Sequence, residues 1–248
     1  MGKMPVELSN LDEERFGIRS ARAKGVTAEN LPEILDFCHT NQVVFLIARC
    51  PTNDFRAVHA MERAGFLLMD TLVYTSRNMV KAPLPEDQPR ALIRKMKPNE
   101  ESEVVRIAQE SFKGYFGHYH ADPRLDPQTC TEAYVSWAER SCIDPQVADC
   151  VLVAELDHKL VGFLTIRMNT PIQGDLVLGG VVPEAQGLGI YKSYIVEGMR
   201  WCKEQGANEV LASTQIINIA VQKVWARLGF EAKEAYYTFH KWFDQPDR

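Results

Sequence analysis

The sequence lacks several patterns, and each absence excludes a class of protein. Its six cysteines show no Cys-x-x-Cys or comparable spacing, so we expect reduced core thiols, with no metal site and no disulfide framework. There is no basic excess, since the net charge is −5 and the pI is about 5.7, which argues against a nucleic-acid partner. The apolar runs are far shorter than a bilayer span, which argues against a membrane segment.

Targeting patterns are missing as well. No secretory signal pattern is present at the start, and Val6 occupies the position where a myristoylation motif beginning at Gly2 needs serine or threonine. We therefore expect a cytoplasmic protein. Its 46% hydrophobic and 25% charged residues are typical of a globular chain, and 248 residues suit one large domain or two of ordinary size.

One stretch combines an apolar strand, a glycine turn and a helix, and most of the interpretation depends on it. It covers residues 181–191 and reads VVPEAQGLGIY. Without Cβ atoms, Gly187 and Gly189 allow a tight curve in which several N–H groups at the start of a helix point at one anion. We interpret this stretch, residues 181–191, as a cradle for a pyrophosphate. The following helix has an apolar stripe that includes Tyr194, and it is predicted to end at Gly206.

Spacing excludes two common nucleotide-binding loops at this position. A Walker loop ends in Gly-Lys-Ser/Thr, which the sequence does not supply, and a dinucleotide fingerprint needs a third glycine where Lys192 stands. The remaining alternative is an ordinary strand-to-helix turn without a ligand. Motifs further along the chain favour the cradle.

The chain is predicted to alternate strands and helices in two parts joined by a linker. The first part, residues 1–80, is expected to contain, in order, a strand at 15–20, a helix at 28–41, a buried strand at 43–49, a helix from 54 to 65 and a strand at 67–76. Residues 81–90 hold three prolines and form the linker. The second part, residues 91–248, is expected to contain strands at 91–96, 147–156, 160–169, 175–182, 208–215 and 232–242, with helices between them.

An internal repeat links the two parts. Residues 63–66 read Arg-Ala-Gly-Phe and residues 227–230 read Arg-Leu-Gly-Phe, each at the end of a helix that begins at a polar residue, Asp54 or Asn218. The first part is interpreted as a degenerate copy of the second without the glycine cradle. The alternative is that Gly-Phe is simply a common way to end a helix.

The cradle, preceded by an apolar strand and Val-x-Pro, resembles the acyl-CoA motif Gln/Arg-x-x-Gly-x-Gly/Ala of the GNAT acetyltransferases. A second motif of that family, Asn-x-x-Ala-x-x-x-Tyr before Gly-Phe, is similar to the stretch that starts at Asn218, so the resemblance covers about residues 91–242. Two positions depart from the family. Tyr191 replaces the final small residue, and Trp225 replaces the tyrosine that protonates the departing thiolate.

The resemblance implies a mixed α/β GNAT fold preceded by a partial GNAT-like N-terminal domain, with acetyl-CoA as the cofactor. In this family the strands beside the cradle diverge, and the backbone at 179–181 would lie along the pantetheine. A β-bulge at the two glycines there is the alternative without a ligand. The implied cofactor-binding residues follow the strand, the cradle and the later helix cap: Gly180, Val181, Val182, Gln186, Gly187, Leu188, Gly189, Ile190, Tyr191 and Asn218.

Candidate catalytic residues come from the chemistry of amine acetylation. The proton of the amine needs a base near neutrality, which His118 and His120 offer in a loop at 113–126. The Trp225 indole can donate a hydrogen bond but not a proton, and core packing is its alternative role. Substitute acids are Tyr191 and either Tyr236 or Tyr237, with packing as the alternative for each.

The same loop also fits closure over a sugar. Tyr115 and Tyr119 would supply stacking faces and Arg124 would contact a phosphate, while a surface loop pinned by its aromatic side chains is the alternative. Segments at 16–22, 46–52 and 64–74 resemble the GNAT branch that acetylates the 4-amino group of a dTDP-linked deoxy-amino-sugar.

We therefore expect an N-acetyltransferase acting on a small-molecule amine, with a sugar nucleotide as the first choice. Another small amine or an amino acid is the alternative acceptor on the same machinery. A non-catalytic acyl-CoA-binding module is the alternative of another class, because Tyr191 and Trp225 both depart from the motifs. A homodimer is compatible with the sequence.

Overall fold

The structure is a computed structural model that describes residues 5–244. Within this range the helices are α1 (Asn10–Phe16), α2 (Leu31–Thr40), α3 (Phe55–Arg63), α4 (Glu101–Ser111), α5 (Pro127–Ile143), α6 (Ile190–Glu204) and α7 (Ile219–Arg227). The strands are β1 (Val6–Leu8), β2 (Ser20–Lys24), β3 (Phe45–Pro51), β4 (Leu67–Asn78), β5 (Leu92–Lys95), β6 (Cys150–Leu156), β7 (Lys159–Thr170), β8 (Gln173–Val181), β9 (Glu209–Gln215) and β10 (Glu231–Trp242). A short 3₁₀ turn, Pro183–Ala185, precedes α6.

Two compact units are built from segments that alternate along the chain. Within the described residues, unit 1 contains 5–73, 116–130 and 234–244, and unit 2 contains 74–115 and 131–233. The compact units therefore cross the predicted linker boundary, because part of the loop after α4 and most of β10 pack with N-terminal elements. The contiguous division into 1–80, 81–90 and 91–248 stays a prediction.

Unit 1 is a small mixed sheet with helices packed on it. Its strand order includes β1-β2-β3-β10, with β2 parallel to β3 and β10 antiparallel to β3. Ile34 of α2, Leu46 of β3 and Met61 of α3 are fully buried in its core. The buried strand expected at 43–49 is confirmed, two residues later along the chain.

The strand expected at 15–20 is wrong, because residues 15–16 end a short helix and the chain turns before a strand begins at Ser20. Ser9 begins α1 by accepting a hydrogen bond from the Asp12 N–H at 3.3 Å, and its own hydroxyl donates to the Asp12 carboxylate at 2.6 Å. Gly17 ends the helix in the left-handed region, with φ of 65°. The strand, β2, therefore starts at Ser20. Local capping at both ends outweighs the strand propensity of the residues between them.

The predicted repeat is visible in α3 and α7, which are both nine residues long. Asp54 accepts a hydrogen bond from the third N–H of α3 at 3.0 Å, and Asn218 accepts one from the third N–H of α7 at 3.4 Å. Each helix is followed by a left-handed glycine, Gly65 with φ of 76° and Gly229 with φ of 77°. Each is then followed by a 12-residue strand, so the likeness extends well beyond a shared dipeptide.

Unit 2 is a mixed sheet with a helix on each face. Its strand order includes β9-β8-β7-β6-β5, in which β8 is parallel to β9 and the other pairs are antiparallel. A Cβ placed on Gly180 would meet Ser111 of α4, whereas one placed on Gly179 would meet Tyr194 of α6. Because successive residues of a strand point to opposite faces, α4 and α6 cover opposite faces of β8.

Candidate functional site

The glycine cradle leads from β8 into α6 and has the predicted geometry. Gly187 has φ of 76° and Gly189 has φ of 80°, so both need the left-handed conformation that glycine adopts without strain. A Cβ at either position would meet no atom within 4 Å, so the space around both residues is open. The Ser193 N–H bonds to the Gly189 carbonyl at 3.1 Å, and no side chain caps the helix. The N–H groups before Ser193 are therefore available to an anion.

Gln186 holds the two ends of this loop together. Its side-chain amide donates to the Val181 carbonyl at 3.2 Å, which ties the start of the cradle to the end of β8. Leu188 lies in the turn and Ile190 is buried as the first residue of α6. The backbone conformation of the cradle is thus fixed by contacts within unit 2.

A gap opens between β8 and β9 beside the cradle. The two strands pair from Gln173 with Glu209 only as far as Leu176 with Ala212, although β8 continues to Val181 and β9 to Gln215. The diverging stretch leaves the backbone around Gly179–Val181 without a β9 partner among the described residues. This is the gap that the resemblance implied, and it begins directly before the cradle.

Gly179 and Gly180 lie side by side in the gap, and a side chain would meet different neighbours at each position. A Cβ on Gly180 would lie 2.2 Å from the Ser111 hydroxyl oxygen, so α4 packs too closely for a side chain there. A Cβ on Gly179 would lie 3.5 Å from the Tyr194 hydroxyl oxygen and 3.1 Å from the Phe163 carbonyl oxygen. The β7–β8 register shifts at two places, between Thr165 and Ile166 and between Met168 and Thr170. Gly179 and Gly180 lie outside both shifts, paired in regular register with Leu164 and Phe163, so a β-bulge does not account for either glycine.

Three aromatic side chains cluster between α6 and α7. Trp225 is 3% exposed, and its indole N–H makes no hydrogen bond of good geometry, although it acts on the hydroxyl of Tyr191. Tyr191 is half-buried in the first turn of α6, and its ring lies edge-on to that of Tyr194, with 5.0 Å between centroids. Burial raises the pKa of Tyr191, and the nearby Trp225 indole opposes that rise only in part.

Tyr194 is the residue that the sequence analysis assigned to packing alone. It is fully buried, yet its hydroxyl has no hydrogen-bond partner. An unpaired buried hydroxyl is costly and needs an explanation. The apolar stripe predicted the burial of this side chain but gave no sign that its hydroxyl would lie unpaired beside Gly179.

A cavity of about 390 Å³ opens at the mouth of the cradle. It is lined by acidic and basic residues of the linker and by the start of α6, among them Glu86, Asp87, Arg90, Gly189 and Lys192. The Lys192 ammonium lies 3.0 Å from the Asp87 carboxylate. Burial raises the pKa of Asp87, but hydrogen bonds from Ser193 and Lys192 outweigh it and hold that pKa below its ordinary value.

Asn218 uses its side chain within unit 2. Its oxygen caps α7, as predicted, and its NH₂ group donates to the Thr214 hydroxyl at 3.1 Å. This second bond holds the helix cap against the end of β9. These two bonds use one N–H and one oxygen lone pair of the amide, so the second N–H and the second lone pair suit a bond to a cofactor arm.

The candidate base His118 lies in unit 1, in a buried chain of hydrogen bonds. The Asp122 carboxylate lies 2.8 Å from His240 Nδ1, and His240 Nε2 lies 3.0 Å from His118 Nδ1. The Trp242 indole donates to the same carboxylate at 2.9 Å. Burial raises the pKa of Asp122, but the bonds from His240 and Trp242 outweigh it and lower that pKa, so Asp122 is ionised.

An ionised carboxylate only accepts, which fixes the tautomers along this chain. His240 must donate from Nδ1 and accept at Nε2, so His118 donates from Nδ1 and keeps a lone pair on Nε2. Burial lowers the pKa of His240, and burial together with His240 lowers the pKa of His118 well below its ordinary value. Both rings are therefore neutral near pH 7. His240 is 122 residues from His118 in sequence, and the sequence analysis singled out neither His240 nor Asp122.

The other candidates in the loop and in β10 have different surroundings. His120 accepts a hydrogen bond from the Gly117 N–H at 3.3 Å, so one of its ring nitrogens is engaged within the loop. Tyr237 is half-buried against the core of unit 1. The expectation that Tyr119 stacks on a sugar is wrong, because its buried hydroxyl donates to Asp12 at 2.8 Å. Arg124 forms an ion pair with Asp244 and stacks over Trp242, with 3.8 Å from its guanidinium carbon to the ring centroid.

Metal-binding clusters and membrane-spanning helices are both missing from residues 5–244. No group of histidine, cysteine, aspartate or glutamate side chains there is arranged to hold a metal ion. In the same range no helix has both the length and the apolar character that crossing a bilayer requires. All six cysteines are free thiols.

Known proteins that are similar to this chain include one of polysaccharide biosynthesis and one acetyltransferase. The chain is 22% identical over 203 residues to the spore coat polysaccharide biosynthesis protein SpsD of Bacillus subtilis (strain 168), covering 80% of this chain and 66% of that one. It is 25% identical over 169 residues to the mycothiol acetyltransferase of Arthrobacter sp. (strain FB24), covering 66% and 49%. The chain thus spans about half to two thirds of the length of these relatives.

The fold is shared with a solved structure that contains two copies of it. A tandem GNAT protein from the clavulanic acid biosynthesis pathway superposes with a TM-score of 0.63 at 11% identity, covering 93% of this chain and 77% of that one. The fold is therefore the mixed α/β GNAT fold with a GNAT-like N-terminal region, as expected. The family model described as Acetyltransferase (GNAT) family matches residues 104–230, and acetyl-CoA is the cofactor of that family. Since this match covers half of the sequence and includes the cradle, the chain belongs to the acetyltransferase (GNAT) family.

Proposed function

We propose that this chain is an acetyl-CoA-dependent N-acetyltransferase that transfers an acetyl group to the primary amine of a small molecule. The observation that carries the proposal is the combination, within unit 2, of the open glycine cradle with the diverging stretch of β8. The first binds an anion through N–H groups, and the second leaves backbone groups free beside a gap. Acetyl-CoA has a pyrophosphate and an amide-bearing arm that match these two features.

The cofactor residues are assigned by this match. The N–H groups of Gly187, Leu188, Gly189 and Ile190 bind the pyrophosphate, and the backbone of 180–182 lines the arm. Gln186 keeps the loop closed, and Asn218 sits at the far side of the gap as the α7 cap. When bound, acetyl-CoA supplies an acetyl carbon activated as a thioester.

The amine needs to lose a proton during the transfer, and His118 is the proposed base. Its Nε2 carries the lone pair because the Asp122–His240 pair fixes its tautomer. His120 is the second choice, since one ring nitrogen is already engaged by the Gly117 N–H. Tyr237 is packed on the core of unit 1, which favours a structural role for it.

The acceptor is proposed to be a nucleotide-linked amino sugar, with dTDP-4-amino sugars as the first choice. The support is the resemblance of the N-terminal segments to that branch, together with the polysaccharide biosynthesis named for SpsD. Another small amine or amino acid is the rival acceptor, and relatives named mycothiol acetyltransferases favour an acceptor of the mycothiol type. A cytoplasmic location and a homodimer stay predictions from the sequence.

The test is thiol release from acetyl-CoA with a panel of amines. The panel contains dTDP-4-amino sugars, simple amino sugars, mycothiol-type amines, amino acids and polyamines, with the N-acetylated form of each as its control. Amine-dependent release with an acetylated product by mass spectrometry supports the proposal and ranks the acceptors. Saturable CoA binding without product across the panel would instead support the non-catalytic module, which Trp225 and Tyr191 motivate.

A further inference from the structure

The hydroxyl of Tyr194 is the unexplained polar group of unit 2. The side chain is 0% exposed, its oxygen has no hydrogen-bond partner, and it lies 3.5 Å from where a Cβ of Gly179 would stand. Gly179 belongs to the stretch of β8 that has left its pairing with β9. The hydroxyl is therefore held beside the gap by a helix that also forms the cradle.

We propose that Tyr194 is a catalytic residue that gives its hydroxyl proton to the sulfur leaving the thioester, a role that Trp225 at the family position lacks the chemistry to perform. The proposal rests on the proposed acetyl transfer. The glycine at 179 matters because a Cβ there would contact the hydroxyl, at 3.5 Å from its oxygen. α6 begins at the cradle and also carries Tyr194, so the same helix sets the positions of the hydroxyl and of the cradle.

The reaction balances without a further reactant. A C–N bond forms between the amine nitrogen and the acetyl carbon, the C–S bond breaks, and its electron pair goes to the sulfur. The sulfur takes the Tyr194 proton and becomes a thiol. The nitrogen loses one proton, which returns to the tyrosine oxygen through the base and solvent before the next turnover.

The surroundings of Tyr194 keep its proton in place until it is needed. Burial, reinforced by Tyr191, raises the pKa of Tyr194 well above its ordinary value, so the side chain is a phenol near pH 7. The same apolar interior weakens a thiol as an acid, as shown by Cys150 in unit 2, whose pKa burial raises to about 11. A thiolate formed in this interior is therefore a stronger base than in water, which compensates in part for the raised pKa of the phenol.

A purely structural reading of Tyr194 predicts different results. If the hydroxyl only packs or binds a buried water, its removal changes stability or cofactor affinity and leaves the chemical step intact. Tyr194→Phe removes this one atom and keeps the ring. Tyr134→Phe is the matched control, because Tyr134 is also a buried tyrosine of unit 2 but lies on another helix, α5.

The experiment measures kcat and the CoA dissociation constant for the wild type and both variants. We expect Tyr194→Phe to lower kcat by about 100-fold or more, which is the usual contribution of a general acid. The dissociation constant of CoA should change less than threefold, and Tyr134→Phe should retain kcat within twofold. A Tyr194→Phe variant with unchanged kcat, or with equal losses in kcat and CoA affinity, would overturn the proposal.

A second measurement separates this proposal from the proposed function. CoA binding should perturb the near-ultraviolet difference spectrum of the wild type through the tyrosine hydroxyl, and Tyr194→Phe should remove that perturbation while still binding CoA. If the wild type releases no thiol with any amine, the proposed function fails, and the spectrum still decides whether Tyr194 faces the sulfur. An identical spectrum in wild type and variant refutes the role of Tyr194.

Discussion

Replacing Gly189 by alanine is expected to weaken CoA binding much more than it destabilises the fold. Gly189 has φ of 80°, where a side chain costs about 1–2 kcal/mol, and a Cβ there meets no atom within 4 Å. The strain is relieved by rotating the backbone, which turns the N–H groups of the cradle away from the anion. Losing one charge-assisted hydrogen bond costs about 1.5–3 kcal/mol, which corresponds to roughly 10- to 150-fold weaker binding.

Gly17→Ala provides the matched control for this prediction. Gly17 has φ of 65° and no atom within 4 Å of an added Cβ, so it carries the same kind of strain at the end of α1 in unit 1. Both variants should lose about 1–2 kcal/mol or less in urea unfolding. Calorimetric titration with CoA should show the large loss in Gly189→Ala only. Wild-type affinity in Gly189→Ala, or an equal loss in Gly17→Ala, would refute the assignment of the cradle.

Three further results are expected. Asp87→Asn should tighten CoA binding severalfold in titrations at low salt, because it frees Lys192 at the mouth of the cradle, and no change would show that the ion pair is irrelevant to the cofactor. Gly180→Ala should lower the free energy of unfolding by about 1–3 kcal/mol in urea, because its Cβ would overlap Ser111, and a wild-type value would contradict the close packing of α4. Thermal unfolding of the wild type should show stability falling as pH drops below about 6.5, because His118 and His240 have pKa values lowered by burial and the unfolded chain then binds more protons. The groups around His118 that contribute are His240, Arg49, Arg22 and His120, and His118→Gln should flatten this dependence.

The cradle and the caps could be predicted from the sequence because local geometry determines them. Gly187 and Gly189 stand at φ values that favour glycine, and Asp54 and Asn218 each cap the helix that directly follows them. The turn between β6 and β7 is equally local, because Asp157 and His158 both have positive φ, as a tight hairpin turn requires. Such features depend on a few adjacent residues, so the spacing of those residues along the chain is sufficient to predict them.

Other features depend on contacts that are distant in sequence. His118 was a reasonable candidate base, but its tautomer is set by His240, 122 residues later, and by Asp122. Tyr194 fitted the apolar stripe of α6, and only the position of its hydroxyl beside Gly179 distinguishes it from a packing residue. The strand expected at 15–20 failed because the cap at Ser9 lay outside the residues considered for that strand.

The most direct test of the central claim is a titration of ¹⁵N-labelled protein with CoA, followed through the backbone amide resonances. We expect the amide signals of Gly187, Leu188, Gly189 and Ile190 to shift downfield in a saturable manner, because their N–H groups lack acceptors in the folded chain and gain the pyrophosphate. Signals of the related α3 start in unit 1, which has no glycine cradle, should not move. Saturable binding that leaves the 187–190 amides unperturbed, or the absence of CoA binding, would contradict the account.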